Sequence, residues 1–373
     1  MGSSGLRARR GTTQHRDQAL GNLSGAAPTL AGMPGMDHSR LPPFGWTSLV
    51  HDWTFSFGWT IGILVSVGAY LYLVHVGRRH GARFPGWRVA CFSAGGLLLL
   101  ATLSSAIAVY AMAVFWVHMV EHLILIMVVP ALVILGHPLT AVRNALRPGG
   151  RRRFDGVLRS GPLSALTHPL TALTLYAVVI IGTHLTGFMD AMANDSRLMT
   201  GEQVVYLASG CLLFLPILGR EPIRRDVPYL LRIVLVLVAM VPDTVVGIVL
   251  LQTDHVSFPA MFAMHPSWAP DPVQDQQIAG ALMWAAGDGL MMLAGVGVVL
   301  MMILDPHRER VLGSWLESVR RQTLAEQARA GTGASSEEVG AAPDPESGEA
   351  LGAYNAMLAA LHEREQHHGG VPR

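Results

Sequence analysis

Residues 118–135 read His-Met-Val-Glu-His-Leu-Ile-Leu-Ile-Met-Val-Val-Pro-Ala-Leu-Val-Ile-Leu. Past Glu121 no charged side chain interrupts the run, and its apolar residues are continuous rather than alternating. A segment of this kind in lipid is a helix, because only helices and closed barrels satisfy the backbone there. A span takes about 20 mostly apolar residues at 1.5 Å rise each. Working outward, comparable runs occupy 57–76, 89–110, 170–186, 204–218, 229–251 and 278–304. With 119–135 they predict an all-α, polytopic membrane bundle of seven transmembrane helices.

The composition agrees. Of 373 residues, 51% are hydrophobic and only 14% are charged, against about 25% charged in soluble domains. Disordered chains, coiled coils and ordinary cytosolic enzymes are excluded. The net charge of +1 supplies no bulk field for nucleic acid, so none is expected as a partner. Cys91 and Cys211 lie in apolar runs and form neither a disulfide framework nor a paired-cysteine metal site.

Arginines set the expected orientation. They crowd the loops after the first span (Arg78, Arg79, Arg83, Arg88), the third (Arg143, Arg147, Arg151, Arg152, Arg153, Arg159) and the fifth (Arg220, Arg224, Arg225), and the tail after the seventh. The alternate loops hold only Arg197. The N-terminus is therefore expected outside and the C-terminus in the cytoplasm. Residues 1–44 are expected to be a flexible extracytoplasmic arm and 45–305 the membrane domain. Residues 306–330 are expected to form a cytoplasmic amphipathic helix and 331–373 a mostly disordered tail with a short helix. The motif His-Pro-Leu-Thr-Ala occurs at His137 and again at His168, and the residue pattern suits a matched pair of helix ends.

Ionisable groups inside spans are costly and default to functional candidates. In this topology His118, Glu121, His122, His184, Asp243 and Asp275 fall in the outer half of the bilayer, with Asp288 near the middle. A compact bundle would bring them to one cavity open to the outside. His118 and His122, four residues apart, share a helix face and can meet one ion. Imidazole and thioether donors select copper over calcium or magnesium. The candidate metal ligands are His118, His122, His184, Asp243, Asp275 and Met283. Met33, Met36 and His38 in the arm form a weaker capturing segment, and the outer loops add His51, His255, Met261, Met264 and His265. No catalytic residue is predicted: no phosphate-binding loop, serine-nucleophile, zinc-protease or dinucleotide-binding motif stands in a suitable context.

Four stretches together resemble the CtaG family of multi-pass membrane cytochrome c oxidase assembly factors. They are the run from His118 through Glu121 and His122 to Pro130, His184, the run Leu213 to Pro222, and Asp275-Gln-Gln-Ile-Ala-Gly-Ala-Leu-Met-Trp284. The resemblance covers about residues 44–305. It implies a non-enzymatic factor of the bacterial plasma membrane that helps make active oxidase, by delivering copper on the outer face, with oxidase subunits and the bilayer as partners. His118, His122, His184, Asp275 and Met283 match the family's polar pattern. Glu202, Gln203, Tyr206 and Asp243 stand where the family usually has histidines, and Asp288 where it usually has Glu. Alternatives are a stable accessory subunit of a respiratory complex with an unused pocket, and an electron-transfer protein holding haem or quinone. A secondary transporter would show inverted repeats, and seven spans divide poorly into halves.

Overall fold

The computed structural model describes residues 41–45, 48, 53, 54, 56–223, 227–263 and 265–304. The expectations for the arm (Met33, Met36, His38), for His51 and Met264, and for the tail fall outside these residues. Among the described residues the chain is helical, with no strand. Six helices are long and apolar enough to cross a membrane, seven when one bent pair counts as a single span. The chain is a polytopic membrane protein.

The first two spans are α1 (Phe57–Arg79) and α2 (Gly86–Ser104), followed by the short α3 (Ala106–Tyr110). The third is composite: α4 (Phe115–Leu123), a π turn (Ile124–Val128) and α5 (Val129–Leu135), continuing into α6 (Pro138–Ala145). Short helices α7 (Pro148–Leu158) and α8 (Gly161–Leu166) cross the arginine-rich loop. The fourth span is α9 (Pro169–His184), bent by 69° into α10 (Phe188–Asn194). Helices α11 (Ser196–Leu218), α12 (Tyr229–Gln252) and α13 (Pro272–Ile303) complete the bundle.

Hydropathy locates the spans and misses their interruptions. The second run, expected to reach residue 110, stops at Ser104. Ser105 turns extended, and its hydroxyl accepts from the Ile107 amide to start α3. The fifth helix starts eight residues before residue 204, because Asp195 caps it by accepting from the Arg197 amide. Ser196, Arg197 and Thr200 of its first turns are exposed, and Glu202 and Gln203 just beyond them are buried against protein. In the third span, Pro130 cannot donate to the Ile126 carbonyl, and the π turn absorbs that defect.

The two His-Pro-Leu-Thr-Ala copies both begin helices, by different means. His168 accepts from the Leu170 amide and caps α9 itself. His137 sits at φ 52°, and Glu221 caps α6 from across the bundle, accepting from the amides of Leu139 and Thr140 at 3.1 and 2.8 Å. Burial pushes the Glu221 carboxyl up, against the pull of the Thr140 hydroxyl and of these amides.

The composite third span and α11 are the most enclosed of the spans, and they meet where Gly210 lies against the Ile126 carbonyl. A second close backbone crossing joins α12 to α13 at Gly247 and Gly280. A Cβ at Gly280 would stand 2.6 Å from the Gly247 carbonyl oxygen and 2.7 Å from the Leu251 amide nitrogen. Both are backbone atoms that cannot yield. Gly280→Ala is therefore expected to cost about 1–3 kcal/mol, the range for overpacking, and to lower the melting temperature in detergent. Gly182→Ala, whose Cβ meets nothing within 4 Å, is the control and should not lower it.

Candidate metal centre

Three spans converge on one enclosed polar cluster. Helix α4 carries His118, Glu121 and His122. The last residue of α9, just before the bend, is His184. The first turns of α11 carry Glu202, Gln203 and Tyr206. The three histidines and two glutamates are each no more than 4% exposed. The His118 and His122 rings lie 4.1 Å apart between centroids, and His122 and His184 lie 5.2 Å apart.

Glu202 closes the set. Its Oε2 stands 3.7 Å from His118 Nε2 and 3.4 Å from His122 Nε2, and one donor atom from each residue lies within 4.8 Å of the other two. Ligands on a tetrahedral ion at about 2.1 Å stand about 3.4 Å apart, so little movement would bring these atoms onto one ion. The cluster also leaves donors unspent. Both nitrogens of His118 and of His122, Nε2 of His184, Oε1 of Glu202 and Oε2 of Glu121 are buried without a hydrogen-bond partner. Buried polar atoms in native proteins are nearly always paired; orphans concentrated at one point mark a site that takes something.

The surrounding groups aim these donors. His184 Nδ1 lies 3.0 Å from the Ile180 carbonyl oxygen. A carbonyl only accepts, so this contact places the proton on Nδ1 and leaves the Nε2 lone pair available. Tyr206, packed on His122 at 4.2 Å, hydrogen-bonds with Thr183 at 2.6 Å. Gln203 donates to Glu121 at 2.8 Å and accepts from the Trp59 indole at 3.1 Å. Above His118 the ring of Phe115 lies near parallel, and Phe258 and Phe262 pack on Phe115.

The structure brings His118 and His122 of the expected ligands together and adds Glu202; His184 packs on His122 but lies outside the set of donor atoms within 4.8 Å of one another. The expected open cavity is absent at this point: the cluster is buried. A cavity of about 570 Å³ lies elsewhere, between α9 and α12, against apolar Leu173, Ala177, Val238 and Val241. Asp275 is spent on architecture. Its two oxygens accept from the amides of Phe115 and Trp116, both at 2.9 Å, and His265 stands 3.0 Å away. Asp243 accepts from the Tyr176 hydroxyl, and Asp288 accepts from Thr244 at 2.9 Å. Met283 is buried in the apolar core of α13.

The Asp275 to Trp284 run is thus a packing motif. Asp275 caps α4, Gln276 accepts from the Ser257 amide at 2.9 Å, and Gln277 donates to the Thr253 carbonyl at 3.3 Å. Gly280 permits the crossing with α12, and Trp284 lies against Gly247. In the sequence Glu202 stands where the family usually has histidines, but it is not among the expected ligands, because it precedes the apolar run. Its signal was the Asp195 cap, which puts it two turns inside a helix.

Fold and cluster together define a polytopic helical membrane protein with an enclosed imidazole–carboxylate centre. The cytochrome c oxidase caa3 assembly factor family matches residues 68–304, and the chain belongs to that family. It is 28% identical over 257 residues to an uncharacterized protein of Mycobacterium leprae, covering 67% of this chain and 39% of that protein. Uncharacterized proteins of Mycobacterium bovis and Mycobacterium tuberculosis are each 26% identical over 308 residues, covering 80% of this chain and 43% of theirs. The chain therefore spans about two fifths of the length of these curated relatives. No solved structure matches it.

Asp275→Ala would leave the buried Phe115 amide unpaired and strip the Trp116 amide of its partner. An unsatisfied buried donor costs about 1–3 kcal/mol, so the variant is expected to melt earlier in detergent. Asp275→Asn, which keeps one carbonyl oxygen, is expected to fall between it and the parent.

Proposed function

We propose that the chain is a non-catalytic assembly factor for cytochrome c oxidase, set in the bacterial plasma membrane, that holds copper as cargo on the outer side. His118, His122 and Glu202 are the donors, with His184 packed on His122 as the nearest further imidazole. The observation that carries this reading is the set of unpaired imidazole nitrogens gathered around one carboxylate in a dry interior. Imidazole suits copper, zinc and iron, and the donor spacing suits a single ion. The family supplies the oxidase as client, and its subunits are the proposed partners.

The outer-face placement rests on the arginine asymmetry. The loops after the first, third and fifth spans carry the positive charge, and the cluster lies at the opposite ends of the third, fourth and fifth spans. The geometry favours a bare ion over haem. Axial imidazoles flank a macrocycle from opposite sides; here His118 and His122 share one helix face, and the His122 and His184 rings are 5.2 Å apart.

Full-length chain purified from copper-replete cells is expected to carry close to one copper per molecule by elemental analysis. His122→Ala is expected to lose at least about ten-fold of that copper, consistent with the loss of one ligand from a small set, and to lower the yield of assembled oxidase. Metal-free parent protein would contradict the proposal.

A further inference from the structure

The donor set also bears on which ion it takes, an inference that rests on reading this cluster as a metal site. Glu202 supplies the oxygen nearest to both His118 and His122. Carboxylate oxygen is a hard donor, suited to divalent ions; the cuprous ion is held by soft sulfur and by imidazole. Cys91 and Cys211 stand outside the set.

We infer that the centre takes a divalent ion of borderline softness, cupric copper in the reading above, and selects against the cuprous ion, with Glu202 as the discriminating ligand. An all-imidazole set would lack that discrimination. The carboxylate thus makes the oxidation state of the metal part of what is recognised.

The test uses the full chain in detergent micelles. Zinc serves as a redox-silent divalent probe, copper(II) is added under air, and copper(I) is added anaerobically against a chromogenic chelator. The parent should bind one zinc ion displaceable by copper(II), and the copper(II) form should show nitrogen hyperfine coupling in its paramagnetic resonance spectrum. Glu202→Gln should weaken zinc and copper(II) at least ten-fold and copper(I) by less than three-fold. Glu202→His should narrow the gap by strengthening copper(I). Glu202→Asp, which keeps the carboxylate, should retain the preference for the divalent ions, and it provides the comparison should the other Glu202 variants fail to fold. Equal loss of copper(I) and the divalent ions in Glu202→Gln, or loss of the divalent preference in Glu202→Asp, would overturn the inference while leaving a metal site. So would parent protein that prefers copper(I). Parent protein that binds neither form would overturn the metal reading itself.

Discussion

The Asp275 carboxylate holds the start of α4. Helix starts leave amides unpaired, and at this start, beneath Phe258 and Phe262, the Phe115 amide is buried. By accepting from Phe115 and Trp116, Asp275 joins the seventh span to the third and fixes where α4 begins. His118 and His122 follow within the next two turns, so their depth and the face they present depend on that carboxylate. Gly280, one and a half turns further along α13, lets α12 cross in backbone contact. The same helix thus anchors the histidine span at one point and the sixth span at another.

On this frame the cluster is assembled from ends and interruptions of helices. His184 is the last residue of α9 before a 69° bend. Glu202 sits in the early turns of α11. The π turn after His122 returns the third span to register past Pro130. Helices of even geometry could not so easily place two imidazoles from one span, one from the end of another and a carboxylate from a third around a common point. Tyr206 and Thr183 then fix His184 and His122 from the side, and Gln203 and Trp59 fix Glu121. Seven of the buried side-chain atoms without a partner gather in this one cluster.

Much of this was legible in the sequence. The seven apolar runs gave the all-helical bundle, because lipid leaves an uninterrupted apolar segment no other option. The four-residue spacing of His118 and His122 predicted their shared face, and the family resemblance was carried by stretches that proved to be packing devices as well as site residues. What was not legible depends on facing partners. Asp275 reads equally well as a ligand or as a cap until the amides of Phe115 and Trp116 are placed before it. Asp243 reads as a ligand until Tyr176 is placed on it. Glu202 reads as a loop residue because hydropathy begins the span at residue 204, whereas capping by Asp195 begins it at Ser196. Hydropathy records what faces lipid, and these residues face protein.

The central claim is that side chains far apart in the chain, on separate spans, form one donor set. X-ray absorption at the zinc edge of the zinc-loaded full chain tests it most directly. The account predicts a first shell of nitrogen and oxygen at about 2.0–2.1 Å, with outer-shell scattering from at least two imidazoles and no sulfur. A sulfur shell at about 2.3 Å, or a shell with fewer than two imidazoles, would contradict it.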